Sequence, residues 1–302
     1  MVIILEQNSL KLRVDQTKGQ IPSNTLGIDI GQSLTKVAYW KVNEIELSMN
    51  NTRSDLSELD EFLSRNKKKL SKIHFTGGRA FIPYKKYLND FETKLFNEFE
   101  ANIKGLDFLY ENYKNRSLPP SLVVTLGTGT SIVLKKEKAE HLGGTAMGGG
   151  FFMGLLDLIF SSAITDFSEA TNLASKGNRF RVDLKVGDIY NVEDDRVDKL
   201  FREFTAAAMG KINKSFDLNS IKKEDIISSL IGIIGENIGT IATLMAENHD
   251  VKHIIFCGGF LMGNKPLKQI LSLLCKFKRI KPIFIENSVF AGAIGALLFN
   301  SI

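Results

Sequence analysis

Gly27-Ile28-Asp29-Ile30-Gly31-Gln32-Ser33-Leu34-Thr35-Lys36 is the stretch against which the rest of the chain takes its meaning. Apolar residues lead into Asp29, a glycine-centred turn follows, and Thr35-Lys36-Val37-Ala38-Tyr39-Trp40 resumes an extended pattern. A strand, a tight turn and a second strand are predicted. Gly31 permits close backbone approach and the turn's N–H groups can face an anion. Ser33 and Thr35 add hydroxyl donors, and Asp29 is of a type that holds magnesium. A plain β-hairpin would use the same residues, so the stretch alone leaves both readings open.

Recurrence gives it weight. After Pro119-Pro120, a boundary, Ser121 to Leu126 has the composition of a buried strand, runs into Gly127-Thr128-Gly129-Thr130-Ser131, and continues as a strand from Ile132. Two hairpins of this kind, one from each of two lobes, are what a phosphotransferase uses to grip nucleotide phosphates; chance recurrence is the alternative. A third glycine run, Gly143-Gly144 with Gly148-Gly149-Gly150, enters an apolar helix at Phe151. Glycines opening a helix leave N–H groups at the positive end of its dipole, an anion site that can double as a hinge.

Between the hairpins, Ser54 opens a helix, and Ile73-His74-Phe75 is a short strand before Thr76-Gly77-Gly78. His74 suits a packed or exposed position better than a catalytic one. Lys94 to Tyr110 has helical periodicity, which brings Glu98 and Gly105 close to one face. There Glu98 is either a surface acid or an acid aimed into a cleft. Further on, Lys252 to Cys257 reads as a strand ending in Gly258-Gly259, and Gly292-Ala293-Ile294-Gly295 as a small-residue helix able to pack closely. Ile226 to Ala246 is long and apolar, but its serines, Glu236, Asn237 and glycines fit a buried helix better than a membrane span. The helix from Lys223 is also the candidate dimer face.

Composition excludes several classes. The chain has 302 residues, 43% hydrophobic and 24% charged, enough for two lobes with a sizeable core. Its net charge of +5 suits an anionic ligand, yet the one dense basic run, Lys67-Lys68-Lys69, is too short and lacks the aromatic neighbours of a nucleic-acid groove. The two cysteines, Cys257 and Cys275, lack metal-site spacing and point to a reducing compartment. No signal-peptide pattern opens the chain, so a cytoplasmic protein without nucleic-acid or membrane partners is expected.

In this order the motifs resemble those of the sugar-kinase, actin and heat-shock-chaperone superfamily, and within it the type II pantothenate kinases. The resemblance covers nearly everything after residue 25. It rests on Gly27-Ile28-Asp29-Ile30-Gly31 with Leu34-Thr35-Lys36, Thr76-Gly77-Gly78, Glu98-Phe99, Gly127-Thr128-Gly129-Thr130-Ser131, the third glycine run, Asp183-Leu184-Lys185-Val186 with Ile189-Tyr190, Thr205-Ala206-Ala207, and Gly292 to Leu297. It implies a two-lobed, actin-like (ribonuclease H-like) α/β fold, with an N-terminal extension over 1–24 and lobes over 25–118 and 119–302. It also implies a homodimer that uses ATP and Mg2+ to phosphorylate pantothenate to 4'-phosphopantothenate, the first step of coenzyme A synthesis. Glu98 matches the family's general base and Asp29 its magnesium-orienting acid. Gly31, Gln32, Ser33, Leu34, Thr35 and Lys36 match the first phosphate loop, and Gly127, Thr128 and Gly129 the second. Gly149, Gly150, Phe151 and Phe167 match nucleotide contacts, and His141, Gly144 and Tyr190 fall at substrate positions.

Two departures stand out. Gly31-Gln32-Ser33 replaces the family's Gly-Gly-Thr while keeping a hydroxyl. His141 replaces an Arg, losing a permanent charge and a bidentate fork. The second change favours a rival, a kinase of another small hydroxylated metabolite. A regulator that binds nucleotide or acyl-coenzyme A without turnover is a further alternative, against which Asp29, Lys36 and Glu98 all argue.

Overall fold

The computed structural model describes residues 10–14, 24–41, 43–52, 57–161, 163–164, 166–191, 193–199, 201–213, 217 and 220–299. The expected helix start at Ser54 and most of the 1–24 extension lie outside them. The chain forms two compact units, one of Met1–Val123, Val133–Leu142 and Ile283–Ile302, the other of Val124–Ile132 and Gly143–Pro282.

The first unit is built on a strand with no exposed face. Its elements begin with β1 (Leu10–Arg13), β2 (Thr25–Ile30), β3 (Leu34–Lys41), β4 (Glu44–Asn51), α1 (Ser57–Asn66), β5 (Lys72–Thr76), α2 (Phe81–Tyr87), β6 (Glu92–Leu95) and α3 (Glu98–Lys114). The sheet runs β1-β4-β3-β2-β5-β6, antiparallel from β1 to β2 and parallel from β2 to β6. All six residues of β2 are buried, as expected where helices cover both faces of a strand. One face of β2 puts Leu26, Ile28 and Ile30 into a core with Leu63, Ile73 and Phe75. Each fully buried side chain of this size contributes about 1.5–3 kcal/mol.

One sequence expectation shifts here. Lys94 and Leu95 belong to β6, not to the helix, which starts at Glu98. Long-range pairing of β6 with β5 holds that segment extended, and Asn97 begins the helix by accepting from the N–H groups of Phe99 (2.9 Å) and Glu100 (3.2 Å).

The chain continues through β7 (Ser121–Leu126), β8 (Thr130–Lys135), β9 (Ala139–Thr145), α4 (Gly149–Phe160), α5 (Phe167–Lys176), β10 (Leu184–Lys185), α6 (Val186–Ile189), β11 (Thr205–Ala207), α7 (Lys223–Asn248), β12 (His253–Cys257), α8 (Lys265–Phe277), β13 (Lys281–Phe284) and α9 (Ala291–Leu298). A five-stranded sheet has the order β13-β12-β7-β8-β9, and β10 and β11 form a small ladder. α7 is long and apolar enough to cross a membrane, but 67% of its most apolar window is buried inside the protein, where it packs on α5 and α8. Ile234 is fully buried there. The apolarity that suggested a dimer face is therefore spent on the unit's own core, and Ile241 and Leu244 remain as exposed large side chains on this helix.

α9 returns to the first unit and covers the second face of β2. A Cβ on Gly27 would lie 2.1 Å from the Ala293 carbonyl oxygen, one on Gly105 1.9 Å from that of Ala291, and one on Gly295 1.7 Å from that of Ala101. These distances leave no room for a side chain. The small-residue helix thus packs at close range on both β2 and α3, as its sequence predicts.

Candidate active site

Register places the first part of the site. β2 and β3 pair Asp29 directly with Lys36, and β2 and β5 pair Asp29 with Thr76. Lys36 Nζ stands 3.0 Å from Asp29 Oδ2, both side chains being mostly shielded from solvent. Gly77 has φ +96°, and a Cβ there would lie 2.5 Å from Asp29 Oδ1; one on Gly292 would lie 2.8 Å from Oδ2. Two glycines from opposite sides thus hollow out the space the carboxylate fills. The turn closes through Gly31 N–H to the Leu34 carbonyl (3.0 Å), and a Cβ on Gly31 would reach within 3.4 Å of Lys36 Nζ. Gln32 and Ser33 are exposed at the turn, whereas Leu34 is half-buried. The Thr35 hydroxyl is shared with Thr52 (2.9 Å).

Glu98 comes to the same place from α3. Its Oε2 lies 4.0 Å from where a Cβ on Gly78 would be, and its carboxylate makes no hydrogen bond or ion pair among the described residues. Glu98 is an exposed residue at the head of α3, yet the protein around its carboxyl group takes away part of its hydration. That desolvation raises its pKa above the ordinary glutamate value, Asp29 adds to the rise, and Lys36 opposes it. His141 is exposed and stacks on Phe99, with ring centroids 4.3 Å apart and planes at 11°. His74 is packed: Nδ1 lies 2.8 Å from the Ala296 carbonyl oxygen, and burial lowers its pKa.

Asp29 also fits magnesium. Oδ1 has no hydrogen-bond partner among the described residues, and magnesium is commonly held by one or two carboxylates, with water and substrate phosphates completing six oxygens. Among the described residues no group of three His, Cys, Asp or Glu could hold a metal by itself.

The second glycine loop and the third run form a clamp within the second unit. Gly127 N–H bonds to the Gly129 carbonyl (2.8 Å), Gly149 N–H to that of Gly127 (2.8 Å) and Gly150 N–H to that of Thr128 (2.9 Å). A Cβ on Gly148 would meet the carbonyl oxygens of Gly127, Thr128 and Gly129 at 2.6 to 2.8 Å. The expectation that this helix start exposes its N–H groups to an anion is thus reduced. Two of them are capped by the neighbouring loop, and the glycines allow close contact with it.

Phe167, capped into α5 by Asp166, forms a triad with Phe152 and Phe260, with centroids 5.5 to 6.3 Å apart. A Cβ on Gly149 would lie 3.5 Å from the Phe260 ring, so the aromatic cluster flanks the glycine run. Phe151 is exposed instead. Phe152 and Phe260 escaped the sequence reading, although Phe260 follows the Gly258-Gly259 pair that ends β12. Gly144 packs within the sheet, where a Cβ would lie 2.2 Å from the Thr130 carbonyl oxygen. Tyr190 is exposed after α6, its carbonyl accepting from Arg202 Nη1 (3.1 Å). Gly144 and Tyr190 lie in the second unit, Glu98 and His141 in the first.

The Fumble family matches residues 49–299. Among curated relatives, the type II pantothenate kinase of Bacillus cereus (strain G9842) is 30% identical over 275 residues, covering 91% of this chain and 97% of the relative. That of Staphylococcus epidermidis (strain ATCC 35984) is 31% identical over 277 residues, covering 90% and 98%. Among solved structures, the activator of the 2-hydroxyisocaproyl-CoA dehydratase from Clostridium difficile with bound ADPNP matches with a TM-score of 0.59 at 15% identity, covering 92% of this chain and 94% of that one. A ROK family glucokinase from Streptomyces griseus, in complex with glucose and AMPPNP, matches with a TM-score of 0.54 at 9% identity, covering 90% and 97%. These likenesses establish the two-lobed actin-like fold.

Proposed function

This chain belongs to the type II pantothenate kinase family, and we propose that it transfers the γ-phosphoryl group of ATP to the pantothenate hydroxyl, giving 4'-phosphopantothenate. The observation that carries the mechanism is Glu98: fixed by Asn97, without a hydrogen-bond or ion-pair partner among the described residues, with its pKa raised, and electrostatically coupled to Asp29 and Lys36. Glu98 takes the hydroxyl proton as that oxygen attacks the γ-phosphorus, and ADP leaves with the bridging oxygen. A carboxylate with a raised pKa is the stronger base. Lys36, held by Asp29, brings positive charge to the first phosphate loop beside Gly31, and Ser33 offers it a hydroxyl. The turn of Gly127, Thr128 and Gly129 provides the second loop, and Phe167, half-buried and backed by the core rings of Phe152 and Phe260, offers the nucleotide an apolar surface. Asp29 would hold magnesium, which when bound neutralises phosphate charge. The enzyme is proposed to act as a cytoplasmic homodimer.

A second reading rests on His141. Its ring lies flat on Phe99 and lacks the guanidinium fork that suits a carboxylate, which favours another small hydroxylated acceptor on the same catalytic frame. One experiment separates the two. ATP consumption is measured with and without pantothenate, beside Glu98→Gln and with nucleotide binding checked in both proteins. Pantothenate-dependent turnover that vanishes in the variant supports the proposal. Nucleotide binding without such turnover sinks it, and a panel of other hydroxylated acceptors then tests the rival.

A further inference from the structure

A cavity of about 640 Å³ lies within the second unit, between α7, α8 and the segment from Arg179 to Thr205. It takes no part in the mechanism above, and its size is that of an ordinary small-molecule site. Much of its wall is apolar, with Phe180, Phe204, Ile270, Leu274 and Phe277. Phe204 and Phe277 meet edge to face with centroids 5.0 Å apart, an arrangement that can accept a further ring.

The polar part of the wall is charged and incompletely satisfied. Arg179 donates through Nε to Asp183 (2.6 Å), pairs through Nη1 with Glu236 Oε1 (3.0 Å) and donates through Nη2 to the Thr205 hydroxyl (3.0 Å). The Thr205 hydroxyl donates in turn to Glu236 Oε1 (2.8 Å). A Cβ on Gly232 would lie 2.2 Å from Arg179 Cζ, so the guanidinium fills a slot that glycine alone leaves open. Asp183 also accepts from Ser229 and from the Met209 N–H. With Asp183 and Glu236 Oε1 both occupied, Glu236 Oε2 has no hydrogen-bond partner among the described residues. One guanidinium faces two carboxylates, which leaves a net charge of −1 at this end. The other charged lining groups do not offset it there: Glu203 is paired with Lys185 (2.7 Å), and Lys276 is exposed on the last turn of α8.

We infer that this cavity binds a small primary amine carried on an aromatic or aliphatic body, with the ammonium on Glu236 Oε2 and the body against Phe204 and Phe277. The Glu236 side chain is 31% exposed, so Oε2 is left to solvent; an ammonium supplies it a donor and also the balancing charge, an alcohol supplies only the donor, and a carboxylate opposes both.

Phenylbutylamine, phenylbutanol and phenylbutyrate share one body and differ in the head group. Calorimetric titration of each into the full chain should give saturable binding in the order amine, alcohol, carboxylate, with the amine at least about tenfold tighter than the alcohol. Glu236→Gln should bring amine and alcohol to within about threefold of each other, since a neutral amide keeps the hydrogen bond but not the charge. Leu273→Trp, on a lining residue 52% exposed and so tolerant of change, should weaken all three ligands by filling the space. Equal binding of amine and carboxylate, no saturable binding of the amine, or amine binding unchanged in Leu273→Trp would each overturn the inference.

Discussion

The two glycine-rich hairpins look alike in sequence and are built for different ends. In the first unit the glycines clear space for side chains: Gly77 and Gly292 make room for Asp29, and Gly31 stands over Lys36. In the second they clear space for backbone: Gly148 meets three carbonyl oxygens, and Gly149 and Gly150 are tied to that same loop. One hairpin arranges charge, the other geometry. Damage to the first should therefore appear in the rate, and damage to the second in stability and nucleotide affinity.

The sharpest break of this contrast is at Glu98. Glu98→Gln keeps the size and the helix start but removes the base, so kcat should fall by about a hundred- to ten-thousand-fold. Nucleotide affinity and the unfolding midpoint should hold. Steady-state kinetics beside a nucleotide titration tests this, and a variant with near-normal kcat would remove Glu98 from its role.

Gly148→Ala is the matching break in the second unit, at the glycine run that packs on the other hairpin. Its φ of 177° is ordinary extended backbone, so the whole cost is contact: a methyl less than 3 Å from three carbonyl oxygens must push the loop off α4. Overpacking of this kind costs roughly 1–3 kcal/mol. Denaturant unfolding should register the loss, and KM for ATP should rise more than kcat falls. A stable variant with normal KM would show that the clamp is not needed.

Much of this was legible from the residues. The strand, turn and strand around Gly31 follow from the residues, and so does the close packing of α9 from its run of Gly and Ala, whereas the Asp29–Lys36 pairing comes from the strand register. Where sequence reasoning missed, the cause was distant partners. Lys94 and Leu95 fit a helical period, but β5 recruits them as a strand. Gly148-Gly149-Gly150 reads as an anion nest that can double as a hinge, and the contacts with the Gly127 and Thr128 carbonyls appear only in the fold. Asn97 ahead of Glu98 and Glu100 was a readable cap signal for the true start of α3.

The pH profile sharpens the same contrast. Glu98 must be ionised to act, so kcat/KM falls as pH drops through its pKa. Because that pKa is raised above 4.5, the acid limb should lie above that of an ordinary glutamate. Asp29→Asn removes a like charge and should move the limb down, whatever it does to the maximum rate. Gly150→Ala, in the clamp, should leave the limb where it is. A limb that moves the wrong way in Asp29→Asn would break the electrostatic account of Glu98.

His141 should give the smallest effect, and its sign is informative. It is exposed and held by one stack on Phe99, a contact worth about 0.5–1.5 kcal/mol for aromatic pairs. His141→Ala should cost less than about 1 kcal/mol in denaturant unfolding, because the stack is open to water. If pantothenate is the acceptor, its KM should rise by less than about tenfold and kcat should hold, since an imidazole lacks the bidentate fork that grips a carboxylate. His141→Arg restores a fork with permanent charge, and KM for pantothenate should then fall below that of the unaltered protein. A KM that rises on gaining the arginine would mean that the natural acceptor does not bring a carboxylate to this position. The catalytic frame around Glu98 would stand, and the acceptor would have to be sought among neutral alcohols.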